Sequence, residues 1–113
     1  VFGISASGKT PYTNRFLELS KNKNALCIGI SNNENAELFK KSNLKIFLDT
    51  KQEVIAGSTR LKAGTSQKAC LNIITSILMI KLGRVKNGMM SSMIVTNKKL
   101  RERKKRIDLI LKN

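Results

Sequence analysis

Histidine is absent from this sequence, and so is tryptophan. The first absence removes histidine-dependent acid–base catalysis and any zinc site that needs imidazole. Cysteine is scarce: Cys27 and Cys70 stand far apart in apolar runs, in no metal-ligand spacing. They read as buried free thiols of a reducing compartment, with no metal and no cofactor expected. Aromatic residues make up 4% of the chain, Tyr12 and four phenylalanines, which leaves little for stacking on bases. Long apolar runs are missing as well. The most apolar window, "ACLNIITSILMI", carries Asn72, Thr75 and Ser76 and is too short to span a bilayer. With no leader pattern, the expected location is the cytoplasm, without a membrane partner.

Acidic residues are few, 7 against 22 basic ones, for a net charge of +15 over 113 residues. Such a balance suggests an anionic partner. The distribution argues for something plainer. Apart from "KKLRERKKR" near the C-terminus, the basic residues are scattered. A solvated charged surface explains that pattern, and no sequence-specific nucleic-acid partner is expected.

The length suits one domain with a modest core. The chain starts at Val1, inside an apolar run, so it is expected to be a piece of a longer protein. Short apolar runs alternate with helical patterns. "VFGIS", "ALCIGIS" and "LKIFLD" read as buried strands, and "ENAELFKKS" as a short helix. A helix is predicted from Pro11, capped by Thr10, with Tyr12, Phe16 and Leu19 on one face. A longer one is predicted over 61–82. Its stripe of Cys70, Leu71, Ile74, Ile77 and Leu78, widened by Ile73 and Ile80, would be buried between layers, and Gly83 would end it. A basic helix from about Thr96 would make its apolar contacts through Leu100, Ile107 and Ile110. Alternating strands and helices imply an α/β fold: a three-layer parallel sheet, helices on both faces, ligands at the carboxyl ends of the strands.

Two loops lead into helices and carry the candidate chemistry. In the first, Gly3 and Gly8-Lys9-Thr10 satisfy the G-x-x-x-x-G-K-[ST] pattern of a nucleotide P-loop, and Asp49 offers a Walker-B-like carboxylate. Pro11 opposes that reading, because it biases Thr10 away from helical geometry. The alternative is a sugar-phosphate site. Ser5, Ser7 and Thr10 are hydroxyls around a turn at a helix N-terminus, where free N–H groups and the helix dipole favour an anion. Ser and Thr also serve as turn and cap residues, so the first loop alone leaves the choice open.

The second loop, "EVIAGSTRLKAGTSQK", resembles the signature of the N-acetylmuramic acid 6-phosphate etherases and the related glucokinase regulatory protein. "SASGKTPY" resembles the same family's second sugar-phosphate loop, and "KLGRVKNGMM" with "TNKKLRERKKRI" continues the likeness. Lys51-Gln52 depart from the family's usual Gly-Pro. The resemblance implies a sugar isomerase (SIS) domain, incomplete at its N-terminus over residues 1–95, then a basic helix over 96–113. It implies a lyase that cleaves the lactyl ether of N-acetylmuramic acid 6-phosphate. It implies phosphate on Ser5, Ser7 and Thr10, with Ser58, Thr59 and Lys62 lining the sugar side or a partner subunit of a homodimer. Arg60 and Lys68 are either part of that lining or helix-surface charges. The family's two catalytic glutamates lie upstream of the first loop. Glu18, Glu34, Glu37, Glu53 and Glu102 do not match them, so no catalytic residue is expected here. A non-catalytic sugar-phosphate-binding module is the alternative from another class.

Overall fold

Three short apolar runs form the sheet. In a computed structural model describing residues 1–112, β1 (Phe2–Ile4), β2 (Ile28–Ser31) and β3 (Leu44–Phe47) are parallel, in the order β1-β2-β3. Gly3 pairs with Gly29 and Gly29 with Lys45. Both glycines are required by packing. A Cβ on Gly3 would stand 2.6 Å from Leu17, and one on Gly29 would run into Ser42 and Leu38. Paired residues of a parallel sheet point to one side, so α1 (Pro11–Asn22) and the 3₁₀ helix Glu37–Lys41 cover the same face. The core there is Leu17, Cys27, Ala36, Leu38 and Phe39.

The chain divides into two compact units, 1–71 and 72–113. The second contains the C-terminal half of α2 (Lys62–Lys81), a hairpin of β4 (Val85–Lys86) and β5 (Met89–Met90), and α3 (Lys98–Lys112). Gly83 ends α2 as expected. Its φ is +68°, its N–H bonds Ile80 O, and Arg84 N–H reaches back to Met79 O, a Schellman closure. The hairpin turns on Asn87 (φ 49°) and Gly88 (φ 74°). Both are left-handed, as a type I′ turn demands. Asn97 Oδ1 accepts Leu100 N–H at 3.0 Å and caps α3. The expected tail helix therefore starts at Lys98, and Asn113 lies outside the described residues.

Tyr12, Phe16 and Leu19 share a face of α1 that is not the buried one: they are 79%, 45% and 46% exposed, and the first two stack at 6.2 Å. Leu17 and Asn14 take the buried side of α1, because the gap above Gly3 admits Leu17. Against expectation, α2 is not sandwiched. Ile73, Ile77, Leu78 and Ile80 are all about half exposed or more, and Ala63 is the residue of this helix that is buried. On α3, Leu100 and Ile107 are half-buried as expected and Ile110 is exposed. Cys27 is a buried free thiol, but Cys70 is only partly covered. No helix of the described residues is long and apolar enough to cross a membrane.

Candidate functional site

The loop from Ser5 to Thr10 leaves the carboxyl end of β1 and enters α1. Ser5 is buried, and its hydroxyl accepts Gly8 N–H at 3.0 Å and pairs with Thr10 Oγ1 at 2.8 Å. Gly8 closes the turn with φ +70°, packed so that a Cβ would stand 2.8 Å from Ala36 Cα. Ser7 Oγ accepts Lys9 N–H at 3.3 Å and is otherwise open to solvent. Thr10 occupies the N-cap position of α1, but its hydroxyl is turned to Ser5 and caps nothing. Its expected capping bond is thus replaced by a loop-shaping one. The first turn of α1 has neither a side-chain cap nor an acidic residue, and Pro11 has no N–H to offer.

The end of β2 sets which way this loop points. Ser31 Oγ and Asn32 N–H both donate to Ala6 O, at 3.1 and 3.2 Å, and Asn33 Nδ2 donates to Ser7 O at 3.1 Å. The loop's carbonyls are therefore drawn toward β2. Among the described residues, the N–H groups of Ala6 and Ser7 are given to no carbonyl. Asn32 also ties in the second loop: its Nδ2 donates to Leu48 O, Thr50 Oγ1 and Ser66 Oγ at 2.9–3.3 Å, while Gln67 Nε2 donates to its Oδ1 at 2.7 Å. Sequence reasoning missed Ser31, Asn32 and Asn33. The run "SNNEN" at a strand's carboxyl end was the available signal.

Ser58, Thr59 and Lys62 sit where the second loop becomes α2. Thr59 O accepts Gly64 N–H at 2.8 Å, and Ser58 O accepts Leu61 N–H at 3.1 Å. Thr59 and Lys62 are exposed and Ser58 is half-buried. None of the three bonds the first loop; the two loops are joined through Asn32 instead. Arg60 and Lys68 are exposed like Thr59 and Lys62, Arg60 in the preceding turn and Lys68 on α2. Glu53 caps α2, accepting Ala63 N–H at 2.8 Å and Lys62 N–H at 2.9 Å. The Ala63 bond, then the Lys62 one, holds its carboxyl below the ordinary carboxylate value.

The P-loop pattern is dispersed. Gly3 lies inside β1, and Lys9 and Thr10 precede the first helical turn instead of standing in it. Asp49 follows β3, which β2 separates from β1, and is paired with Lys51 at 2.7 Å. The Lys51 side-chain bond lowers the Asp49 carboxyl, and Asp49 raises Lys51 in return.

The Ser5–Thr10 loop and the Glu53-capped start of α2, bound to one asparagine, thus lie together in the first unit. No protein-family model matches the chain. Curated relatives do. The N-acetylmuramic acid 6-phosphate etherase of Oceanobacillus iheyensis is 48% identical over 107 residues, 95% of this chain and 36% of its own length. That of Mycoplasma mycoides is 47% identical over 103 residues, covering 91% and 34%. That of Clostridioides difficile is 42% identical over 113 residues, covering 100% and 37%. The chain is homologous to the N-acetylmuramic acid 6-phosphate etherases. It spans about a third of the length of the etherases it matches. Both loops fall within the stretch it shares with the Clostridioides difficile etherase, which takes in every residue.

Proposed function

We propose that this chain is the C-terminal part of an N-acetylmuramic acid 6-phosphate etherase and that its β1–α1 loop holds the sugar phosphate. In this reading residues 1–95 belong to a SIS domain with helices on both faces of its sheet, and 96–113 form an appended basic helix. The intact enzyme is a cytoplasmic homodimer of cell-wall sugar recycling. It eliminates the lactyl group of N-acetylmuramic acid 6-phosphate and then adds water, giving N-acetylglucosamine 6-phosphate and D-lactate.

The observation that carries the reading is the polarity of the loop. Its carbonyls are engaged by Ser31, Asn32 and Asn33, while the amides of Ala6 and Ser7 and the uncapped first turn of α1 are left for an anion. The Ser7 and Thr10 hydroxyls stand at its solvent side, and Ser5 fixes the turn. A phosphate there gains charge-assisted hydrogen bonds and the helix dipole, without magnesium. Ser58, Thr59 and Lys62 line the sugar side or meet the site of a second subunit. The acid and base come from elsewhere in the intact enzyme, upstream of this loop by the family resemblance; in this chain Glu18 and Glu37 pair with Arg15 and Lys41, and Glu53 holds the α2 amides.

The test is an amide-resolved NMR titration of the chain with N-acetylglucosamine 6-phosphate and, separately, with ATP and magnesium. The sugar phosphate is expected to move Ala6, Ser7, Tyr12 and Thr13 most. Ser7→Ala should weaken it by about tenfold or more, since a hydrogen bond to a charged group is worth roughly 1.5–3 kcal/mol. Lys9→Arg should change it only a few-fold. ATP binding that needs Lys9 and magnesium would make the loop a nucleotide cradle and overturn the proposal.

A further inference from the structure

The outward surface of α3 has no part in the site described above. Seven of the nine residues Lys98–Arg106 are basic, and Glu102 is the one acid among them. All seven are exposed, and among the described residues none makes an ion pair. At 3.6 residues per turn they do not form a single row. Lys98 and Lys105 lie on one side of the helix, beside Glu102 and Leu109, with Arg101 and Lys104 flanking it one way and Lys99, Arg103 and Arg106 the other. The strip left between the two flanks is Leu100, Ile107 and Leu111, and these three are half-buried.

We propose that α3 is a docking surface for duplex nucleic acid, bound through phosphates and without sequence preference. Three observations select this occupant. Cations on both flanks of a helix meet two rows of phosphates, which is what the walls of a groove about 12 Å wide present. A flat anionic membrane meets one side only; the apolar strip it would need for insertion is already half-covered, and the exposed Leu109 and Ile110 lie outside that strip, beyond the basic run. The helix carries no aromatic side chain and no Asn or Gln within its bounds, so it has little with which to stack on single-stranded bases or to read adenine.

The test is fluorescence anisotropy of the chain with a short labelled duplex of arbitrary sequence across a salt series. Affinity should fall linearly with the logarithm of salt, by about 0.9 log unit per phosphate neutralised. Arg101→Gln/Arg103→Gln/Lys104→Gln/Lys105→Gln should lower that slope by up to about four while circular dichroism shows α3 still helical. The charge-matched control Lys21→Gln/Lys23→Gln/Lys40→Gln/Lys45→Gln should leave it nearly unchanged. Equal loss in both variants would reduce the effect to net charge and sink the proposal. So would stronger binding to vesicles of anionic phospholipid, or tight sequence-selective binding at physiological salt.

Discussion

Two left-handed glycines separate what backbone conformation costs from what packing costs. Gly8 and Gly57 have nearly the same φ, +70° and +78°. A Cβ on Gly57 meets nothing within 4 Å, whereas one on Gly8 runs into Ala36. Gly57→Ala should therefore cost about 1 kcal/mol, the penalty of a side chain in the left-handed region. Gly8→Ala should cost that plus roughly 1–3 kcal/mol for forcing a methyl into a packed site. Urea unfolding of the two variants measures the difference, and equal midpoints would mean that Ala36 yields freely. Legibility at this scale follows the same division. Gly83 could be read from sequence because a helix end needs only local geometry. Asn32 could not, because its partners Leu48, Thr50, Ser66 and Gln67 are 16 to 35 residues away. An asparagine's sequence neighbours carry no trace of such partners.

Elements were legible where one pattern dominated. The parallel strands show as short apolar runs bounded by turn residues, although Phe2, Leu44 and Phe47 are exposed on the strands themselves. The face of α1 was not legible, since Tyr12, Phe16 and Leu19 have helical spacing and so do Thr13 and Leu17 with Asn14 between them; periodicity cannot tell which stripe meets the gap over Gly3. The β4–β5 hairpin announces itself only in Asn87-Gly88, its strands being too short to alternate. For α2 the decisive local feature is the Glu53 cap, and it gives a pH prediction. The Glu53 carboxyl is lower in the folded chain than in the unfolded one. Its contribution is therefore present above the ordinary carboxylate value and is lost as pH falls through the depressed folded value. Amide exchange at Lys62 and Ala63 should accelerate across that acidic window. In Glu53→Gln the acid-dependent step should vanish, while exchange at neutral pH is already faster. An unchanged acid profile in the variant would show that another carboxylate governs the start of α2.

At the scale of the whole molecule the core is small and the uncovered apolar surface is large. Five residues make the cluster under the sheet. Beside it the buried Asn14 Oδ1 has no partner among the described residues, which costs roughly 1–3 kcal/mol. Meanwhile Tyr12, Phe16 and Leu19 on α1, and Ile73, Ile77 and Ile80 on α2, face solvent at about half exposure or more. Surfaces of this kind are covered in stable proteins, by a partner or by a second copy. Charge works the other way. At +15 the chains repel one another at low ionic strength, and salt screens that repulsion over about 10 Å at 0.1 M. Self-association should therefore rise with salt, the reverse of the salt dependence expected for duplex binding by α3. Sedimentation velocity across a salt series checks this, with a hydrophobic dye reporting the exposed faces. The expected result is a monomer that binds dye at low salt and heavier species as salt increases. Phe16→Glu with Ile77→Glu should hold the monomer at every salt concentration. If the unmodified chain instead stays monomeric and dye-free throughout, these apolar faces are covered in solution by a packing different from the one described here.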